Sequence, residues 1–342
     1  MKVIHLIDNA GAGGAQVMVK SFLNHNSSST GMAIRKLDFQ PNFHEKLAIN
    51  PSKSFFSLKR LFWLKQVFST ENKSVIHVHL NNSVFHIVVL ILFFRLKNPI
   101  VIHEHGEIQK SNITGKALRF CYKALKQKVK FIAVSEDVKK ALFNCNINLS
   151  QISLIPNVAF RSFEGRKQNN PFVLGFCGRI EPRKNWEFFV DLAKSFSNNS
   201  AVKFLIAGNG PEEVKLTETI KKLGLNNIQF LGYVSDIDRF YNQINCLVIP
   251  SFWEGHSLVQ LEALSSNIPV ISFSGKGMNS KNKNHYVLSS NTLLACKAEV
   301  ESLIQTKSPI ITIEESQVLF NNQKQKFFDA VESLYLTLKS NN

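Results

Sequence analysis

The stretch NCLVIPSFWEGHSLVQLEALSSNIPVISFS (residues 245–274) holds two apolar runs separated by a glycine-loosened loop and a helical pattern over 256–265. Neither run alternates apolar with polar residues, as expected of strands covered on both faces of a parallel sheet. The stretch therefore reads as one strand–helix–strand unit with a right-handed crossover. It also carries two glutamates eight positions apart, Glu254 in the loop and Glu262 among Leu258, Val259, Leu261 and Leu264. A buried carboxylate needs a partner. No Lys or Arg lies between Ile249 and Gly275, which raises the expectation that a ligand supplies it.

The same rhythm extends in both directions. KVIHLID, SVIHVHL, PIVIHEH, KFIAVS and ISLIPN read as strands in the first half, and FVLGFCG, VKFLIAG, IQFLGYV, NCLVIPS and IPVISFS in the second, with helices at 184–198 and 212–223. Repeated units of this kind predict an α/β protein of two doubly wound, Rossmann-like domains. A polar, unpatterned linker is expected at 161–172. The expected domains are 1–165 and 166–320, followed by a C-terminal helix over 321–342 that packs back toward the first. Phe328, Val331, Leu334, Tyr335 and Leu338 give that helix its apolar face. Ligands of such sheets sit beyond the carboxyl ends of the strands, so facing domains would pool their strand-end loops at one site.

A chain of 342 residues with 19% charged and 44% hydrophobic residues is globular rather than disordered. Its five cysteines form no C-x-x-C pair, which speaks for a reducing compartment and against disulfides or structural zinc. The longest apolar run, VFHIVVLILFF, falls short of the roughly 20 residues that span a bilayer. The charge of +16 is lopsided: 24 Lys and Arg face 9 Asp and Glu up to residue 170, and 17 face 16 beyond it. The first half thus expects an anionic surface or partner.

Several loops carry chemistry. DNAGAGGAQ (8–16) follows a strand and opens a helix, so Gly13 and Gly14 let backbone amides approach an anion. A dinucleotide fingerprint would need glycine where Gln16 stands, which disfavours a nicotinamide-dependent oxidoreductase. In FCGRIEPRKNWE (176–187), Arg179 and Lys184 flank a Pro-shaped turn at a helix start, a pairing suited to a diphosphate. IAGNGPEE (206–213) is a further glycine-rich helix entry with Gly208 and Asn209, and FLGYVSD offers backbone around Tyr233 and Val234 to a flat base. His77/His79 and His103/His105 are i, i+2 pairs at strand ends. Packing, a metal site or hydrogen bonding to a ligand remain open for them, with Glu104 on the opposite face.

Taken together, GRIEPRKN, AGNGPE, NIQFLGYV and PSFWEGHSLVQLEALSSNIPVI resemble the GT4-type retaining glycosyltransferases of GT-B fold. The first half is similar more loosely, through GAGGAQ, VIHVHLN, VIHEHG, IAVSEDVKKAL and LIPNV. The resemblance implies that Glu262 accepts hydrogen bonds from a nucleotide ribose and that Glu254 stands beside the transferred sugar. It likewise implies that Arg179 and Lys184 hold the diphosphate, with His105 near the donor sugar. The catalytic set would be His105, Glu254, Arg179 and Lys184. The donor would also meet Gly13, Gly14, Gly208, Asn209, Tyr233, Val234, Gly255, His256, Ser257 and Leu258. The cation pair would take the place of a bound Mg²⁺, so no metal is expected at the diphosphate of a substrate such as a UDP-sugar. One departure stands out: after the PVI strand, relatives commonly show glycines and an acid, whereas this chain has Lys276, Lys281 and Lys283 and no acid.

The expected partners are a nucleotide-sugar donor, a glycan acceptor carried on a lipid, and an anionic membrane surface, but no nucleic acid. FFSLKRLFWLKQVF (55–68), with Lys59, Arg60 and Lys65 among aromatics, could lie on that surface or pack on the sheet. The expected location is cytoplasmic, at the inner face of the membrane, in surface polysaccharide assembly. The alternative is a regulatory subunit that binds sugar nucleotides without catalysis.

Overall fold

A computed structural model describes residues 1–11, 13–35, 46–50, 57–79, 81–106, 113–125, 129–162, 171–274, 283–306 and 313–340. The chain divides into two compact units, Met1–Asn157 with Lys326–Asn342, and Val158–Gln325. Most of the expected linker, and Lys276 and Lys281, lie outside the described residues.

In the first unit the elements run β1 (Val3–Asn9), α1 (Gly14–His25), β2 (Thr30–Arg35), β3 (Leu47–Ile49), α2 (Leu58–Thr70), β4 (Val75–His79), α3 (Asn81–Phe94), β5 (Ile100–Glu104), α4 (Ile113–Leu125), β6 (Val129–Ala133), α5 (Glu136–Phe143) and β7 (Ile152–Leu154). They form a wholly parallel sheet ordered β3-β2-β1-β4-β5-β6-β7. Alternation divides the strands by face. Ile4, Leu6, Ile76, Val78, Ile100 and Ile102 enter the apolar core with Leu64, Phe68, Val84, Ile87 and Leu118 of α2, α3 and α4. Their neighbours in sequence, His5, His77 and His103, are just as buried but face the other way. Of the two placements open to residues 55–68, Arg60 takes the packed one: it is buried and hydrogen-bonded to His86 at 3.3 Å.

The second unit runs β8 (Phe172–Cys177), α6 (Trp186–Ser195), β9 (Val202–Ala207), α7 (Glu213–Lys222), β10 (Ile228–Phe230), α8 (Ile237–Tyr241), β11 (Cys246–Ile249), α9 (Leu258–Ser265), β12 (Val270–Ser272), β13 (His285–Val287) and α10 (Leu293–Thr306). Its sheet is again parallel, ordered β10-β9-β8-β11-β12-β13. Leu174, Phe176, Phe204 and Ile206 join one core, while Leu205, Ala207, Leu247 and Ile249 join a second. Both faces are covered, as the unbroken apolar runs require. A final helix, α11 (Ile313–Ser340), crosses the chain's division, so that its part from Lys326 onward belongs to the first unit.

In each unit the strand order reverses direction beside the first strand, between β1 and β4 and between β8 and β11. Ligands of open α/β sheets bind outside the carboxyl ends of the strands at this switch point.

Candidate active site

At the switch point of the second unit, the loops after β8 and β11 are tied together. Asn185 adopts a left-handed backbone (φ 53°) ahead of α6 and donates through Nδ2 to the Pro250 carbonyl at 3.1 Å. The Phe252 amide donates to the Arg183 carbonyl at 3.1 Å. These bonds bring Lys184 to Glu254, Nζ to Oε1 2.5 Å, while Arg183 Nη1 stands 3.5 Å from Oε2. Glu254 is only 7% exposed. Burial alone would push its carboxyl up; the charges of Lys184 and Arg183, with a Ser251 hydrogen bond, outweigh that and hold it below the ordinary range. The partner of Glu254 is thus within the chain, 70 residues earlier.

Arg183 is the residue that sequence reading passed over. It donates to the Trp253 carbonyl at 2.9 Å, pairs with Glu181 at 3.0 Å and lies over the Trp253 ring. Its position between two cations already singled out was the available signal. Arg179 is 59% exposed at its side chain, held by Glu181 at 3.2 Å. Lys184 Nζ lies 3.8 Å from where a Cβ on Gly178 would stand, so both cations flank the end of β8.

Glu262 is different. Equally buried, it has no cation within ion-pair distance among the described residues; the Tyr241 hydroxyl donates to Oε2 at 3.1 Å. Burial raises its pKa to about 7, although the Arg161 charge and the Tyr241 bond pull it down. Cys177, the last residue of β8, senses both sites: burial and the Glu262 charge push its thiol up to about 12, against Lys184 and Arg161. Glu262 therefore sits near the same strand end, poised to accept hydroxyls.

Ser257 precedes α9 and makes no side-chain cap, and the amides of a first helical turn have no acceptor within the helix. Gly255 and Ser257 are buried, Leu258 is half-buried, and burial lowers His256 to about 4, leaving it neutral. Gly208 and Asn209 follow β9, and Tyr233 and Val234 follow β10. Here the glycine has a packing reason. A Cβ on Gly208 (φ +146°) would stand 1.8 Å from the Gly178 carbonyl oxygen, where the two loops exchange backbone bonds.

In the first unit the glycine loop after β1 is closed by Gln16. Its Nε2 donates to the Asn9 carbonyl and to Asn9 Oδ1, both at 3.3 Å, and a Cβ on Gly13 would meet Gln16 Oε1 at 2.6 Å. Gly13 precedes α1 and Gly14 begins it. His105 follows β5 half-buried, stacked on His103 and hydrogen-bonded to His79 at 3.4 Å; burial lowers it to about 4. Glu104 does face the other way, bonded to Tyr122 and raised by burial to about 7.

The profile described as glycosyl transferases group 1 matches residues 158–327, and that described as glycosyltransferase family 4 matches residues 15–159. The chain belongs to the GT4-type glycosyltransferases. This glycosyltransferase is 25% identical to the amylovoran biosynthesis glycosyltransferase AmsD of Erwinia amylovora, over 80% of its own chain and 81% of that protein. It is 26% identical to the Escherichia coli UDP-Gal:alpha-D-GlcNAc-diphosphoundecaprenol alpha-1,3-galactosyltransferase, over 67% and 65%. Among solved structures, Anabaena HepE in complex with UDP-glucose superposes with a TM-score of 0.79 at 16% identity, covering 97% of this chain and 100% of that one. That likeness carries the GT-B fold.

Proposed function

We propose that this glycosyltransferase moves a sugar, with retention of anomeric configuration, from a nucleoside diphosphate donor such as a UDP-sugar to a hydroxyl of a lipid-linked glycan in surface polysaccharide assembly. One observation carries it. At the switch point of the second unit, cations, helix-start amides and a buried carboxylate without an ion pair among the described residues share one strand end, the complement of a diphosphate with its ribose.

Arg179 and Lys184, with the amino end of α9, stabilise charge developing on the departing diphosphate. The bond from the anomeric carbon to the β-phosphate oxygen breaks, the bond to the acceptor oxygen forms on the same face, and the acceptor proton passes to the departing phosphate. Glu262 accepts the ribose hydroxyls, a charge-assisted contact of about 1.5–3 kcal/mol. Glu254, braced by Lys184 and Arg183, lies beside the sugar and orients it. Gly208, Asn209, Tyr233 and Val234 line the place of the base. Within the first unit, Gly13 and Gly14 offer amides at the start of α1 and His105 a neutral imidazole beyond β5. With these cations on the diphosphate, the transfer needs no metal there.

Two features favour a membrane-borne acceptor. Relatives include transferases named for diphosphoundecaprenol substrates. Leu58 and Phe62 of α2, Leu92 and Phe93 of α3, and Phe120 of α4 are exposed beside Lys59 and Lys65 on a strongly basic half. No described helix is long and apolar enough to cross a membrane. A non-catalytic alternative finds no support among these relatives, all named as transferases.

The test incubates the protein with UDP-, GDP- and ADP-sugars and an undecaprenyl-diphosphate glycan, with and without EDTA. Nucleotide release should occur with one sugar, survive EDTA and leave the anomeric configuration unchanged by NMR. No turnover with any donor would sink the reading.

A further inference from the structure

On the buried face of the first unit's sheet, five histidines gather. Strand register makes the group: His5 pairs with His77, and His79 with His103, across β1, β4 and β5, and His105 continues the row. Among the described residues, no carboxylate joins its metal-competent groups. Two hydrogen-bonded chains run through the rings. One links His5 Nδ1 to His79 Nε2 at 3.2 Å and His79 Nδ1 to His105 Nε2 at 3.4 Å. The other links Tyr335 to His77 Nδ1, and His77 Nε2 to His103 Nδ1 at 3.2 Å. The second chain stops at His103 Nε2, which is buried and has no hydrogen-bond partner. One nitrogen from each of His79, His103 and His105 lies within 4.8 Å of the other two.

We propose that His79, His103 and His105 bind a zinc-class divalent cation through three imidazole nitrogens, at a site built wholly from the first unit. The separation of His79 Nδ1 and His105 Nε2 is already about that of two nitrogens on one tetrahedral zinc, roughly 3.3–3.4 Å for bonds of 2.0–2.1 Å. His103 Nε2 gains the partner it lacks. The remaining ring nitrogens have outer partners of the kind that orient metal-binding histidines: His79 Nε2–H donates to His5 Nδ1, and His103 Nδ1–H donates to His77 Nε2. This needs only a tautomer shift along the first chain, so no net proton leaves. Burial keeps all three rings neutral at pH 7, the form that binds metal. The alternative trio His5, His77 and His79 is less apt, because it leaves out His103, whose buried Nε2 has no partner. A half-buried His105 leaves the chosen trio an approach from the strand-end side.

The test uses the full chain, stripped with chelator, loaded with zinc sulfate, desalted and assayed for metal. About one zinc per chain should remain, and cobalt chloride should produce the visible absorption of a tetrahedral site. His103→Gln should weaken zinc binding at least tenfold, and His5→Gln by roughly 10–100-fold as an outer partner, with circular dichroism unchanged. No retained zinc in the wild-type chain, or equal affinity in His103→Gln, overturns the site. Should His103→Gln fail to fold, zinc-edge X-ray absorption of the loaded wild type decides. Three imidazoles support the site; one or none overturns it.

Discussion

The two units share a strand order and differ in what they place at the same topological position. Beyond β8 and β11 the second unit sets Arg179, Glu181, Arg183, Lys184 and Glu254, a nest of full charges that satisfy one another. Beside β1 and β4 the first unit sets a glycine loop closed by an amide and a bank of histidines kept neutral by burial. The sheet decides where a site can be, and the side chains decide what it attracts. Each unit also buries one glutamate against a tyrosine, Glu104 on Tyr122 and Glu262 on Tyr241, both raised to about 7. One of these pairs lies at the cationic strand end and the other beneath the opposite face of its sheet, so the same chemical pair should serve donor binding in one unit and packing in the other.

The sharpest attempt to break this contrast is Lys184→Ala. It removes a cation from the departing diphosphate and leaves Glu254 facing only Arg183. The expected loss in kcat/KM is about 10²–10³-fold, read as nucleotide release. Next comes Glu262→Gln, which should weaken UDP binding roughly 10–100-fold by calorimetry, since a neutral amide replaces the carboxylate that holds the ribose. Glu104→Gln should leave UDP binding unchanged and alter only the pH dependence of stability. With its pKa raised from 4.5 to about 7, Glu104 keeps its proton in the folded chain while the unfolded chain releases it. The wild type therefore loses stability as pH rises from about 4.5 to 7, and the amide does not. The Tm of Glu104→Gln should gain on the wild type between pH 5 and pH 8; a parallel change at both would refute the assignment. The smallest effect belongs to Lys65→Ala, which should lower affinity for phosphatidylserine vesicles by about 1 kcal/mol, roughly fivefold, and leave neutral vesicles unaffected.

Much of the fold was legible because parallel strands covered on both faces must be apolar throughout, and FVLGFC, VKFLIA and CLVI announce themselves. β2, β3 and β13 did not. TGMAIR carries too little apolar pattern, and LAI and HYV are three residues each. At the site, residue types beside strand ends were readable, as with Arg179, Lys184 and His105. Pairings were not, since Lys184 and Glu254 meet only through strand order and His5 joins His77 only through register. A cation among aromatics left open whether 55–68 packs or faces a surface, and at Arg60 the choice is made by His86 on α3, which takes it inside.

The last helix gives the chain an awkward birth. Phe327, Phe328 and Tyr335 cover Phe22, His25, His77 and His103, yet residues 158–325, which form the other unit, leave the ribosome in between. At about 5–20 residues per second, the earliest-made sheet waits on the order of ten seconds or more with one aromatic-lined side open. During that interval a chaperone, or a neighbouring nascent chain, competes for the surface that the carboxyl-terminal tail finally seals.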